Sequence, residues 1–69
     1  MIKHYLYGNC KKSDINVGNR VWIDINQPFL AEGVVVEKKP DEFVYRSVVA
    51  DVLFYAPYNK VMKVMRGLI

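Results

Sequence analysis

The sequence predicts an all-β fold, one small and strongly curved barrel of about five strands, with a short C-terminal helix as the one candidate exception. Three observations predict it. Residues 20–25 alternate without a break, Val21, Ile23 and Ile25 against Arg20, Trp22 and Asp24, which is the period-two signature of a half-buried strand. Gly18 and Gly33 each punctuate a β-rich run, over residues 15–23 and 31–37. Residues 43–55 are rich in Val, Phe and Tyr and too long for one ordinary strand.

The first element covers residues 2–7, where Ile2, His4 and Leu6 alternate with Lys3, Tyr5 and Tyr7. Residues 8–14 form a polar loop. The strand over 20–25 stops at Asn26-Gln27-Pro28, because proline has no N–H to give to a ladder. Residues 29–38 form the next strand, and Gly33 inside it predicts a bulge or sharp bend. Lys38-Lys39-Pro40-Asp41-Glu42 is a charged turn. Ser47 or Asp51 marks a bend within 43–55, and residues 56–59 form a turn. Residues 60–66 repeat a basic-apolar-apolar triplet. At about 100° per residue Val61, Met62, Val64, Met65 and Leu68 make one apolar stripe, with Asn59 and Gly67 as cap and stop. This reads as a short amphipathic helix in preference to a strand, although the valines argue for a strand.

The 69 residues make a single small β domain, 1–69. A chain of this size buries only about 60% of its unfolded surface, so such domains recruit disulfides, metals or self-association. Cys10 is the only cysteine and His4 the only histidine. No internal disulfide can form, and the ligands for a metal site are too few. No cofactor is expected. The 52% hydrophobic share points to a homo-oligomer. One free cysteine and the absence of a secretory pattern in residues 1–7 predict a cytoplasmic protein. No apolar run reaches the roughly 18 residues of a membrane span.

Net charge is +3, unevenly distributed. Residues 1–23 carry Lys3, Lys11, Lys12 and Arg20 against Asp14, residues 24–56 are acidic, and residues 57–69 carry Lys60, Lys63 and Arg66 with no acid. Basic ends around an acidic middle fit either an anionic partner or pairing of the ends with the middle.

The stretch Ile-x-Val-Gly-x-Arg-Val-Trp-Ile, followed by a loop, Gly-Val-Val-Val, an acidic turn and a β-rich run, resembles the SH3-like small barrels. In that group one glycine precedes a strand of the type Gly-x-x-Val and a second opens the next strand. Gly18 with Val21, and Gly33 with Val34 to Val36, match those positions. The resemblance covers about residues 15–55 and implies a fold without a function. One relative, the plasmid-borne type II dihydrofolate reductase, builds one site from four subunits. Its Val-Gln-Ile-Tyr stretch is absent here, so its activity does not carry over.

No catalytic constellation is expected. His4 and Cys10 lack a third, orienting group, although Lys11 and Lys12 beside Cys10 would lower an exposed thiol's pKa. Asp51 stands among apolar residues and reads as solvent-facing or interfacial. Trp22 shares a strand face with Arg20, as Tyr5 and Tyr7 do with Lys3, and aromatics interleaved with bases can stack nucleobases while cations hold phosphates. The competing reading places Trp22 in a second small core under the C-terminal element. Lys60, Lys63 and Arg66 supply further cations.

The expected protein is a non-enzymatic binding module. The first reading is nucleic-acid interaction through Arg20, Trp22, Lys60, Lys63 and Arg66, helped by Lys11 and Lys12. The alternative is a protein-interaction module or homo-oligomeric accessory protein of a phage or mobile element, with Trp22, Phe29, Tyr55 and Tyr58 as interface anchors.

Overall fold

The structure is a computed structural model that describes residues 3–8 and 10–68. Ile2, the expected start of the first strand, lies outside the described residues. Six strands form one antiparallel sheet: β1 (Lys3–Tyr7), β2 (Arg20–Asp24), β3 (Leu30–Lys38), β4 (Glu42–Ser47), β5 (Leu53–Pro57) and β6 (Val61–Leu68). Their spatial order is β1-β6-β2-β3-β4-β5. The meander β2 to β5 is followed by a 3-10 turn at Tyr58–Lys60 that carries the chain back, so that β6 lies between β2 and β1. The fold is all-β, as the alternation predicts. The sheet has one strand more than expected and is not closed into a barrel: β1 and β5 remain as edges. No helix among the described residues is long and apolar enough to cross a membrane.

One face of the sheet carries the core. Ile15, Val21, Ile23, Val35, Phe43, Val61 and Val64 are each under 2% exposed. Ile15 comes from the loop before β2, while Leu6 and Ala31 pack against the edge of the cluster. Each such side chain contributes about 1.5–3 kcal/mol on burial. The two ion pairs, Arg20–Glu32 at 3.2 Å and Arg46–Asp51 at 3.4 Å, are exposed and contribute at most about 1 kcal/mol each. Apolar burial therefore decides the fold.

The two glycines act by different means. Gly18 has φ +93°, the left-handed conformation that a turn residue needs. Its N–H donates to the Val35 carbonyl at 2.8 Å and the Val35 N–H to Asn19 at 3.0 Å, which locks the turn onto β3. Gly33 is set by contact. A Cβ there would strike the Tyr45 ring and lie 2.7 Å from the Arg46 carbonyl oxygen. The bulge expected at Gly33 instead falls at Val36, between Val35 and Glu37.

Residues 61–67 form no helix; they lie in strand β6, and Lys60 ends the 3-10 turn before it. Ile23 pairs with Val61 but Trp22 with Lys63, which leaves Met62 as a bulge. His4 pairs with Gly67 but Tyr5 with Met65, which leaves Arg66 as a second bulge. Each extra residue turns a period of two into a local period of three. Val61 and Val64 thus both reach the core, and the triplet imitates a helical stripe. The long run 43–55 resolves into the hairpin β4–β5. At its turn the Ser47 Oγ accepts the N–H groups of Val49 and Ala50, 3.3 Å each, and Asp51 takes φ +55°.

Candidate nucleic-acid interface

The face opposite the core is read off the strand registers. One cross-sheet row runs Tyr7–Lys63–Trp22–Glu32 and the next Tyr5–Met65–Arg20–Val34–Arg46. Parity places these side chains outward, because each is one residue from a core position on its own strand. Tyr5, Tyr7 and Trp22 surround one cation: the Lys63 Nζ lies 4.6, 5.3 and 4.4 Å from their ring centroids. Tyr5 is 6.1 Å from both Tyr7 and Trp22, centroid to centroid. A cation over an aromatic face gains about 0.5–2 kcal/mol, more as water is removed, so the Lys63 ammonium holds the rings around it. Trp22 and Tyr5 are half-buried while Tyr7 stays 67% exposed. Arg20 lies beside this cluster with its guanidinium on Glu32.

The sheet unites only part of the expected nucleic-acid set. Arg20, Trp22 and Lys63 come together. Arg66 is exposed at the second β6 bulge. Lys60 lies on the 3-10 turn, lining a cleft with Ile23, Tyr45 and Tyr55 on the core side. Lys11 and Lys12 flank the other 3-10 turn, Lys12–Asp14. The Lys12 Nζ donates to the Pro40 carbonyl at 2.9 Å and stands 5.5 Å from the Tyr58 ring centre, so it serves the loop packing. Arg46 was missing from the sequence reading. It joins the outward row through its register with Val34, a position that alternation within β4 does not reveal, since Phe43, Val44 and Tyr45 are buried in succession.

The expected interface anchors also divide. Phe29 and Tyr55 are 63% and 60% exposed. Tyr58 is a core ring, 9% exposed, 5.4 Å from Phe43, and its hydroxyl donates to the Lys39 carbonyl at 2.6 Å. It sits inside because the 3-10 turn folds it under the sheet, where its hydroxyl still finds a partner. Trp22 is half-buried at an outer cluster, between the two readings that the sequence allowed.

Cys10 corrects a further expectation. It is not an exposed, lysine-activated thiol but a buried one, 7% exposed, with its Sγ 3.8 Å from the Leu6 carbonyl. Burial, and then the charge of Asp14, push its pKa up from the ordinary 9.0. A thiol held neutral is a poor nucleophile. His4 is exposed at the start of β1. Among the described residues, no three His, Cys, Asp or Glu side chains cluster as a metal ion would require. Comparison with known protein families, curated proteins and solved structures finds no match to this chain.

Proposed function

We propose that the protein is a non-enzymatic binding module whose outer face takes up single-stranded nucleic acid. One observation carries this reading: Tyr5 and Tyr7 on β1 and Trp22 on β2 flank β6 on one open face, gathered around its Lys63 with Arg20 beside them. Aromatic platforms with interleaved cations suit a single strand, since every base offers a π face and the backbone a row of phosphates. A duplex hides its base faces and is not expected to bind there. The supporting scaffold is a curled sheet of the SH3-like kind, opened at one side. The resemblance carried by Gly18 and Gly33 fits the turn and the close contact that these two residues make.

Trp22 is the only tryptophan, so its fluorescence reports directly on the face. Titration with a mixed-sequence single-stranded oligonucleotide is expected to quench it. Affinity should fall with salt at a logarithmic slope of about −2 if Lys63, Arg20 and Arg46 each meet a phosphate. Tyr7→Ala, at an exposed position, is expected to weaken binding by roughly 10-fold, within the range of one lost base stack. Unchanged fluorescence at low salt, or a Tyr7→Ala protein that binds as well as the parent, would overturn the reading. A second reading, a protein-interaction module, draws on the apolar surface along β5.

A further inference from the structure

The β5 edge is open on its backbone as well as on its side chains. The Ser47 N–H donates to the Val52 carbonyl at 2.9 Å. The β4–β5 register continues that alternation, through Tyr45 with Phe54 and Phe43 with Ala56. In an antiparallel ladder, alternate residues turn their N–H and C=O to opposite sides. Phe54 and Ala56 therefore bond to β4, while Leu53 and Tyr55 point theirs away from the sheet. Pro57 ends the exposed row with a carbonyl and no donor.

The side chains along this edge are apolar. Leu53, Phe54 and Tyr55 are 50%, 44% and 60% exposed, beside Val49 at 91% and Phe29 at 63%. Behind them Ile25, Phe29, Leu30, Tyr45, Val49 and Phe54 line a groove of about 450 Å³. An unprotected apolar edge strand pairs with another strand.

We propose that this edge and groove form a twofold interface with a second copy of the chain, β5 pairing antiparallel with the partner's β5 about an axis at Phe54. β5 lies at the far end of the sheet from the Tyr5, Tyr7 and Trp22 cluster, and of the outer row only Arg46, which pairs with Leu53, adjoins it. With the axis at Phe54, Leu53 faces the partner's Tyr55 and Tyr55 faces the partner's Leu53. All the outward N–H groups of the described β5 edge then find carbonyls, two from each copy, and the proline falls outside the bonded pairs. The two Phe54 rings meet on the groove side, in the close non-hydrogen-bonded position where aromatic pairs gain most. Charge agrees with the antiparallel sense. Residues 52–57 carry none; Asp51, which the exposed Arg46 meets at 3.4 Å, precedes them and Lys60 follows, so the end of one strand that holds a carboxylate lies toward the basic end of the other. A parallel pairing would set like charges together.

The test is light scattering of the free protein, without nucleic acid, from micromolar to millimolar concentration. The expected mass rises from 8.0 kDa toward twice that value. Two double variants then probe the register: Leu53→Lys with Tyr55→Lys, and Leu53→Glu with Tyr55→Glu. Each alone is expected to be monomeric, through like charges across the axis, and an equimolar mixture to form a heterodimer. Circular dichroism checks that each folds. Should either unfold, Tyr55→Pro removes one outward N–H without touching the bonds to β4, and it is expected to weaken dimerisation at least 10-fold. A parent chain that stays at 8.0 kDa throughout, a charged variant that still dimerises alone, or a mixture that does not associate would each overturn the proposal.

Discussion

Gly33 makes the closest backbone approach that the described glycines show, and the reason is packing, not conformational freedom. The Tyr45 ring and the Arg46 carbonyl occupy the volume that any side chain would need. The ring can move, but the carbonyl belongs to the β3–β4 ladder, where Gly33 pairs with Ser47 and Val34 with Arg46. Gly33→Ala is therefore expected to cost about 1–3 kcal/mol, the range for overpacking a filled core. A urea midpoint shifted down at unchanged slope would show it, and an unchanged midpoint would show that β4 yields without cost. The residue scale also explains Lys63. Its ammonium meets three ring faces, and a stem lying along apolar surface with a cationic tip is how lysine serves a half-buried site. The same residue orders the free platform and, in the proposed complex, would supply a charge to a phosphate.

At the scale of the element, β6 is the decisive strand, because it joins β1 to β2 and carries two core valines. Its bulge at Met62 keeps Val61 and Val64 on one face although they are three apart. Deleting Met62 removes the extra residue, and strict alternation from Val64 through Lys63 then keeps Val61 inward, still opposite Ile23. The expected result is a cooperative thermal transition retained, because neither core valine, each worth about 1.5–3 kcal/mol on burial, leaves the core. A deletion variant that loses its cooperative transition would refute the bulged register. The same bulges explain what was legible in the chain. In β2, an uninterrupted strand, parity alone put Trp22 and Arg20 opposite Val21 and Ile23, and the structure agrees. In β6 two extra residues turned a strand pattern into an apparent helical one. Lys12, Lys60 and Tyr58 were unreadable for another reason. They sit on or beside short 3-10 turns, whose direction is set by what packs beneath them and not by local periodicity. Arg46 was hidden by the length of the run 43–55, which gave parity no origin until the turn at Val48 to Ala50 divided it.

For the whole molecule, stability rests on a short supply of buried surface, so a small coupled change should be visible in the unfolding curve. A domain of this length holds together by about 3–10 kcal/mol. Burial acts on the titration of two side chains of its core. Cys10 and Tyr45 are 7% and 5% exposed, and burial raises both pKa values, from 9.0 for the thiol and from 10.0 for the phenol. The sign follows from proton binding. Well below pH 9 both groups are neutral in the folded and the unfolded chain, and neither contributes to a pH dependence. As pH rises past 9.0 the unfolded thiol ionises while the folded one keeps its proton. The native state then binds more protons, and stability falls with pH. Tyr45 adds a second decline from about its ordinary 10.0. Each group can lower stability by at most about 1.4 kcal/mol per pH unit, and only until its folded-state pKa is reached. Thermal melts between pH 8 and 11 at one fixed protein concentration, which holds any self-association constant, should thus show Tm level at first and then falling. Cys10→Ala removes the thiol and should delay the fall until the phenol titrates, at the cost of a small cavity beside Leu6. A parent Tm that stays level to pH 10.5, or a Cys10→Ala profile parallel to the parent's, would mean that the thiol sits in contact with water and that the loop before β2 opens on its own. The expected delay would instead place that loop, with Ile15 at its end, in the same cooperative unit as the sheet.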